Sequence, residues 1–96
     1  MSASEILRAA AATIDQRGIE RDQPGGERSM SRTVAAFNAL TGHQLSERDG
    51  WLFMVALKAA RATATAAGRP DDYLDGAAYF ALAAESVLPV VVLGQP

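Results

Sequence analysis

Residues 46–87 read SERDGWLFMVALKAARATATAAGRPDDYLDGAAYFALAAESV, and the fold follows from the two apolar segments of this stretch. The first segment predicts a helix over residues 46–67, with Gly68 as its stop. Ser46 precedes the helix and Asp49 follows three residues later, which is the spacing of a capping box with aspartate in place of glutamate. Bulky apolar side chains cover most of the helix circumference. We therefore expect this third helix of the chain to be central and buried on more than one side.

The second segment predicts the fourth helix, over residues 71–87. Pro70 suits the edge of a helix, and aspartates in a first turn complement the partial positive charge of a helix N-terminus. Pro89 cannot continue a helix, so the helix is expected to end near Val87. Its expected inner face consists of Leu74, Ala77, Ala78, Ala81 and Leu82.

Two upstream segments also show helical spacing of apolar residues and predict helices over residues 3–17 and 29–41. Ser2 and Glu5 have the spacing of a capping box for the first helix, which Gly18 is expected to end. The apolar stripe of the first helix is Ile6, Leu7, Ala10, Ala11 and Ile14, and that of the second is Met30, Val34, Phe37 and Leu40.

Two segments show no helical pattern. Residues 18–28 contain a proline, two adjacent glycines and several charged residues, which predicts a loop. Residues 88–96 predict a short extended tail, because the run Val90–Leu93 has strand propensity but no partner strand. We expect this tail to lie over the bundle or to cover a subunit contact.

The chain has 96 residues, which allows a single domain over residues 1–96. Its many alanines favour helices that pack closely on small side chains. The predicted fold is therefore all-α, a compact bundle of about four helices with a short extended C-terminal tail. Because alanine buries little area, the core should be thin, and a homo-oligomer, favoured as a dimer, would cover the remaining apolar surface.

The composition excludes several classes of function. A net charge of -2 argues against a protein that binds nucleic acid mainly through charge. The absence of cysteine excludes disulfides, a thiol nucleophile and a thiolate metal site. Charged residues interrupt the N-terminal apolar run, and the C-terminal run is too short to span a bilayer. We therefore expect a cytoplasmic protein with no membrane partner.

Asp72 and Asp75 are three residues apart in the fourth helix and share a helix face. Like charges at this spacing repel, and a hard divalent cation such as Mg²⁺ would offset the repulsion while also binding phosphate oxygens. The other interpretation is that the aspartates are caps and dipole partners, which accounts for Asp71 and Asp72 better than for Asp75. Both interpretations stay open.

Lys58 and Arg61 are three residues apart on the third helix, and two cations on a central helix need partners. Asp72 and Asp75 on the next helix are candidates for those partners, in a purely structural ion-pair network. If a metal is present, the same two cations would instead face phosphate groups. Tyr79 lies four residues beyond Asp75 on an overlapping face and is a candidate for substrate contact.

The remaining acidic residues add further metal candidates. Glu20 and Glu27 lie on either side of the glycine–proline loop, and either would complete a carboxylate cluster if the fold brings it near Asp75. Glu47 and Asp49 are better explained by helix-end electrostatics. His43, the only histidine, lies in a turn with no partner for a catalytic dyad. A magnesium-assisted reaction on a phosphate ester is therefore the one enzyme class that these residues suggest.

Three blocks of the chain resemble a family of small, poorly characterised phage and prophage proteins. They are GERSM over residues 26–30 with AFNALTG over residues 36–42, FMVALKAAR over residues 53–61, and DDYLDGAAY over residues 71–79. The resemblance covers roughly residues 5–86, and its most specific part is the lysine–arginine block followed by the aspartate–tyrosine block.

That family is similar, more distantly, to the MazG-like all-α nucleoside triphosphate pyrophosphohydrolases. Those enzymes hold magnesium with carboxylates from neighbouring helices, cleave a triphosphate to a monophosphate and pyrophosphate, and work as dimers or tetramers. The resemblance implies that Asp72 and Asp75 are the acidic pair of the last site helix, and that Lys58 and Arg61 face phosphate. The enzymes also carry an E-x-x-E pair, which this chain lacks, and Glu27 is the one candidate in the matching block.

Two functions follow from these patterns. The first is a magnesium-dependent nucleoside triphosphate pyrophosphohydrolase, with Asp72 and Asp75 as its catalytic, metal-binding carboxylates. The second is a non-enzymatic phage accessory protein that sequesters a nucleotide signal or inhibits a host defence protein. A helical oligomer with a structural role is a third interpretation.

Overall fold

The computed structural model describes residues 1–20 and 29–89. This part of the chain contains no strand and four helices, which are α1 (Ala3–Glu20), α2 (Met30–Thr41), α3 (Glu47–Ala62) and α4 (Pro70–Glu85). The all-α prediction with about four helices is confirmed. None of these helices is both long and apolar enough to cross a membrane. Of the predicted tail, Val90–Leu93 lie outside the described residues.

The helices pack in an order that differs from their order in the chain. α1 packs on α4, α4 packs on α3, and α3 packs on α2. The largest contact is the one between α3 and α4. The antiparallel pair α3–α4 is therefore the centre of the fold, and α1 and α2 lie at the two ends of the packing order.

A small apolar cluster brings all four helices together. Its buried members are Trp51, Leu82 and Ala83. The partly buried side chains that pack against it are Ile14 from α1, Met30 from α2 and Tyr79 from α4. The other buried apolar residues are Ala10, Val34, Ala62 and Ala78, so most of the core consists of alanine. The expectation of a thin core agrees with this composition.

Both predicted capping boxes are present. At the start of α1, the Glu5 N–H donates to Ser2 Oγ (3.1 Å), and the Ser2 N–H donates to Glu5 Oε1 (3.2 Å). At the start of α3, the Asp49 N–H donates to Ser46 Oγ (3.1 Å), and the Ser46 N–H donates to Asp49 Oδ2 (2.8 Å). Each box satisfies backbone N–H groups that have no partner within the helix.

The predicted end of α1 is wrong. The helix continues through Gly18 to Glu20, so the predicted loop 18–28 begins later than expected. A glycine within a helix costs only about 1 kcal/mol relative to alanine, and it ends the helix only where the backbone turns left-handed. The left-handed glycines of the described residues are Gly42 and Gly68. Residues 21–28 lie outside the described part.

α3 also ends earlier than predicted, at Ala62 instead of residue 67. Beyond this point the Gly68 N–H donates to Thr65 Oγ1 (3.0 Å), a local hydrogen bond that competes with helix formation. Gly68 has a φ of +73°, and a Cβ atom there would lie 2.6 Å from the Ala62 carbonyl oxygen. The return of the chain to α4 therefore requires glycine at this position. The bounds of the other two helices are closer to the predicted ones, since α2 begins at Met30 and α4 spans Pro70–Glu85.

Several residues of the predicted apolar stripes are exposed. α2 approaches α3 through Met30 and Val34, which lie against Gly50, whereas Phe37 and Leu40 further along α2 are exposed. On α3, Phe53 is 73% exposed although α2 and α4 both cover this helix. Helical spacing identified the apolar positions, but the number of neighbouring helices decides how many of them are buried.

The two helical glycines of α3 and α4 provide a matched test of this packing. A Cβ atom at Gly50 would clash with Met30 Sδ and lie 2.8 Å from Cγ2 of buried Val34, whereas one at Gly76 would meet Lys58 Cβ at an ordinary 3.6 Å. We predict that Gly76→Ala raises the free energy of unfolding by about 0.5–1 kcal/mol through helix propensity. Gly50→Ala should lower the free energy of unfolding by about 1 kcal/mol or more, because the clash with Met30 and Val34 costs more than the helix propensity of alanine contributes.

Urea unfolding of both variants measures these changes. Equal stabilisation by the two substitutions would contradict the close approach of α2 to α3 at Gly50.

The capping box of α3 predicts a pH dependence. The hydrogen bond from the Ser46 backbone N–H, followed by that from its side chain, lowers the pKa of Asp49. The cap therefore stabilises the fold fully above the ordinary aspartate pKa of about 3.9, and this stability is lost as the pH falls through the lower folded value. Carboxyl NMR titration should show the low pKa, and Ser46→Ala should raise it part of the way. An ordinary Asp49 pKa in the wild-type protein would contradict the box.

Candidate functional site

An ion pair joins the two central helices. Lys58 on α3 and Asp75 on α4 approach to 3.1 Å between Nζ and Oδ2. Their side chains are only 14% and 17% exposed, so water screens this pair less than it screens a surface pair. Gly76, the residue after Asp75, leaves room for the Lys58 stem beside α4. The helices thus bring together one predicted cation and one predicted carboxylate.

Asp72 is the buried acidic residue of the described core, with 7% of its surface exposed. It lies in the first turn of α4, and its backbone N–H donates to the Arg69 carbonyl oxygen (3.0 Å). Because Asp72 and Asp75 are three residues apart, both lie on the side of α4 that faces α3. The antiparallel register that pairs Lys58 with Asp75 places Asp72 about one turn further on, at the level of Ala62.

Tyr79 completes this side of α4, one turn beyond Asp75. Its ring stacks on that of Trp51, with centroids 5.8 Å apart and planes 24° apart. The indole N–H of Trp51 in turn donates to Glu47 Oε2 (3.2 Å). Tyr79 is therefore partly a core residue, and Trp51 has the core position that its sequence stripe indicated.

The remaining predicted site residues lie elsewhere. Arg61 is exposed, although it is only three residues from Lys58. Asp71 is also exposed, which agrees with a role as a charge at the helix N-terminus. Glu27 lies outside the described residues. The structure thus joins Lys58 to Asp75 between α3 and α4, and Asp72 and Tyr79 lie one turn to either side of Asp75 along α4.

These residues fit a magnesium ion in part. Magnesium in proteins is commonly held by one or two carboxylates together with water and phosphate oxygens, and Asp72 and Asp75 supply two carboxylates on one helix side. Within residues 1–20 and 29–89, no group of three or more histidine or acidic side chains comes together to hold a metal. A metal held by these two aspartates would complete its coordination with water and phosphate oxygens.

One residue of this site was not singled out from the sequence. Gly76 follows the second aspartate and lies at the closest approach of α4 to Lys58. A lone glycine inside an apolar helical segment is the signal that identifies such a contact. The burial of Asp72 had no sequence signal, because an aspartate in a first helical turn is usually an exposed capping group.

The fold and this contact define a small all-α protein built around an α3–α4 pair with an interhelical lysine–aspartate bridge. A family model described as a domain of unknown function, DUF6378, matches residues 5–87. The chain therefore belongs to the DUF6378 family. No curated protein matches the chain. No solved structure matches it either.

The ion pair makes a prediction about stability. Lys58→Met should lower the free energy of unfolding by about 1–3 kcal/mol, because it removes the cation from a partly buried carboxylate. Arg61→Met is the matched control, and it should change stability by no more than about 0.5 kcal/mol because Arg61 is exposed. Denaturant unfolding measures both. Equal costs for the two substitutions would contradict the assigned difference in burial.

Proposed function

We propose that this chain is a MazG-like nucleotide-binding protein of phage or prophage type, with magnesium-dependent nucleoside triphosphate pyrophosphohydrolase activity. The observation that carries the proposal is the partly buried Lys58–Asp75 pair, with buried Asp72 one turn from Asp75 along α4. Replacing a buried ion pair by apolar residues is often neutral or stabilising, so such a pair is poorly explained by stability alone. A cation next to two carboxylates is, in contrast, a useful arrangement for binding a metal–phosphate complex.

Each residue of the contact has a distinct role in this proposal. Asp72 and Asp75 would hold the metal, which supplies charge neutralisation on the triphosphate and polarises its phosphorus–oxygen bonds. Lys58 would donate to a phosphate oxygen, exchanging its bond to Asp75 for one to the substrate. Arg61, exposed near the same end of α3, would reach the outer phosphates from the solvent side. Tyr79 would contact the substrate only with the part of its ring that Trp51 leaves uncovered.

The burial of these groups explains why their charges would act strongly. Coulomb attraction between a cation and a phosphate increases as water is removed, and Lys58 and Asp75 are largely covered. Positive charge that is already positioned stabilises the negative charge of a leaving pyrophosphate without reorganisation at the moment of reaction. The resemblance of the lysine–arginine and aspartate–tyrosine blocks to the MazG-like pattern supports the same residues.

Pyrophosphate release from a panel of nucleoside triphosphates, with Mg²⁺ or Mn²⁺, tests the proposed activity. Asp75→Asn should lower turnover by about a hundredfold or more, because it removes the charge of a metal-binding carboxylate. Asp71→Asn removes the same charge from an exposed position of the same helix and should leave turnover nearly unchanged. Circular dichroism and denaturant unfolding of both variants separate loss of activity from loss of fold. Wild-type turnover in Asp75→Asn would contradict the assigned role.

A second candidate function is favoured by a specific observation. No group of three or more acidic or histidine side chains comes together within residues 1–20 and 29–89, whereas the enzymes of the resembling class use a second acidic pair. A protein with this donor set would bind a nucleotide and sequester it, or it would inhibit a host protein, without cleavage. Thermal unfolding with Mg²⁺ and each nucleotide distinguishes these cases, because a ligand at 100 times its dissociation constant adds about 2.7 kcal/mol of stability.

The two measurements give different combined results for each candidate. Stabilisation by a nucleotide together with pyrophosphate release supports the enzyme. Stabilisation without release supports sequestration. Neither stabilisation nor release across the panel would overturn nucleotide binding and would favour a protein target.

A further inference from the structure

The outward side of α4 carries a continuous apolar strip. Tyr73, Ala77, Phe80 and Ala84 of α4, and Val87 in the turn that follows the helix, are spaced at alternating steps of four and three residues. We call these five residues the outer seam. Tyr73, Phe80 and Val87 are 50%, 61% and 52% exposed, with α1 and α3 already packed on the other sides of the helix. This spacing is that of the a and d positions of a coiled coil.

The outer seam lacks the polar residues that an exposed helix face usually carries. Residues 76–84 read GAAYFALAA, so two and a half turns of α4 contain no charge on any side. A helix that is apolar on all sides is typical of a buried position. Among residues 1–20 and 29–89, α1 and α3 cover two sides of α4, and its third side is apolar and exposed at Tyr73 and Phe80.

We propose that the outer seam is the interface of a homodimer in which α4 packs antiparallel against α4 of a second copy. This inference is independent of the proposed nucleotide site, because Lys58, Asp72 and Asp75 lie at the α3 side of the helix. It assigns a particular surface and geometry to the oligomer that the composition suggested.

The alternation of large and small residues makes the outer seam complementary to itself. In an antiparallel pair, each large side chain faces a small one: Phe80 faces Ala77 of the second copy, and Tyr73 faces Ala84 of the second copy. A twofold axis between Ala77 and Phe80 produces all these pairs at once, which is the property of an isologous interface. A parallel pair would instead place Phe80 on Phe80 and Ala77 on Ala77. Two large side chains would then crowd one layer of the interface and two small ones would leave a gap in the next.

The accessible area agrees with a dimer of modest size. An aromatic side chain buries about 150–250 Å², so covering the exposed parts of Tyr73 and Phe80 removes about 200 Å² per chain. Val87, Leu88 and the alanines raise the strip to roughly 400–500 Å² per chain, so two chains together bury about 800–1,000 Å², which is at the lower limit of about 1,000 Å² for a specific interface. The alanines also allow the two helix backbones to approach closely.

Sedimentation equilibrium of the full chain tests the proposal, with Phe80→Glu as the disrupting variant. The wild-type protein should sediment at twice the chain mass of 10.1 kDa. Phe80→Glu should weaken dimerisation by about a hundredfold or more, because each interface receives two buried carboxylates near the twofold axis. Phe53→Glu is the matched control, since Phe53 is 73% exposed but lies on α3, and it should remain dimeric. Circular dichroism confirms that both variants fold.

Crosslinking tests the direction of the helices, and the chain has no cysteine of its own to interfere. In the antiparallel pair, the two copies of residue 77 are about 5 Å apart along the helix axis, and the two copies of residue 87, just beyond the end of α4, are more than about 20 Å apart. A short bis-maleimide should therefore join Ala77→Cys chains and leave Val87→Cys chains unjoined. Equal crosslinking of both variants indicates a parallel pair and overturns the proposed geometry.

Three other outcomes would overturn the proposed surface. A monomeric wild-type protein excludes the dimer. Dissociation of the dimer by the single substitution Phe53→Glu shows that the interface includes α3, whatever the effect of Phe80→Glu. A monomer whose Phe80→Glu variant loses thermal stability indicates that another part of the same chain, such as residues 90–96, covers the outer seam.

Discussion

Close approach of α3 and α4 is the constraint on which the rest of the structure depends. Ala78 and Ala83 on α4 are each only 1% exposed, and a Cβ atom at Gly76 would lie in ordinary contact with Lys58 Cβ, so small residues line the covered surface of α4. This proximity allows Trp51 to stack on Tyr79 and allows Lys58 to reach Asp75. Larger residues at the alanine positions would separate the helices and remove both contacts. The apolar cluster and the candidate site are thus two parts of the same contact.

The same small residues limit how much apolar area the single chain can bury. Burying a leucine or valine contributes about 1.5–3 kcal/mol, whereas a buried alanine contributes far less, and no large side chain of the described residues is fully buried. Phe53, Phe80 and Leu40 are consequently exposed on three different helices. An alanine-rich core therefore has two consequences: it positions polar groups accurately between close helices, and it leaves apolar surface for a second chain.

The candidate site combines features that pure stability does not require. Lys58 and Asp75 are removed from most of their solvent, and Asp72 is more deeply buried still. Membership of the DUF6378 family identifies the relatives of this chain without assigning an activity to them. The proposed function consequently depends on the chemistry of these side chains. Arg61 is exposed, so Lys58 is the one cation that the described part of the chain places between α3 and α4.

The sequence by itself determined what depends on neighbours along the chain. It determined the four helices, both capping boxes, the central position of the third helix and the acidic pair on one side of the fourth. It did not determine where α1 and α3 end. Gly18 does not stop α1, because a glycine ends a helix where its backbone is left-handed, and α3 ends before Thr65, whose hydroxyl bonds to the backbone of the following turn. For Lys58 the sequence left two aspartates of the fourth helix as candidate partners, and the tertiary structure selected Asp75. The tertiary structure alone decided that Arg61 is exposed and that Phe37, Leu40 and Phe53 stay uncovered. Helical periodicity identifies which residues share a face, but only the packing of one helix on another decides which face is covered, and that depends on contacts between residues distant in sequence.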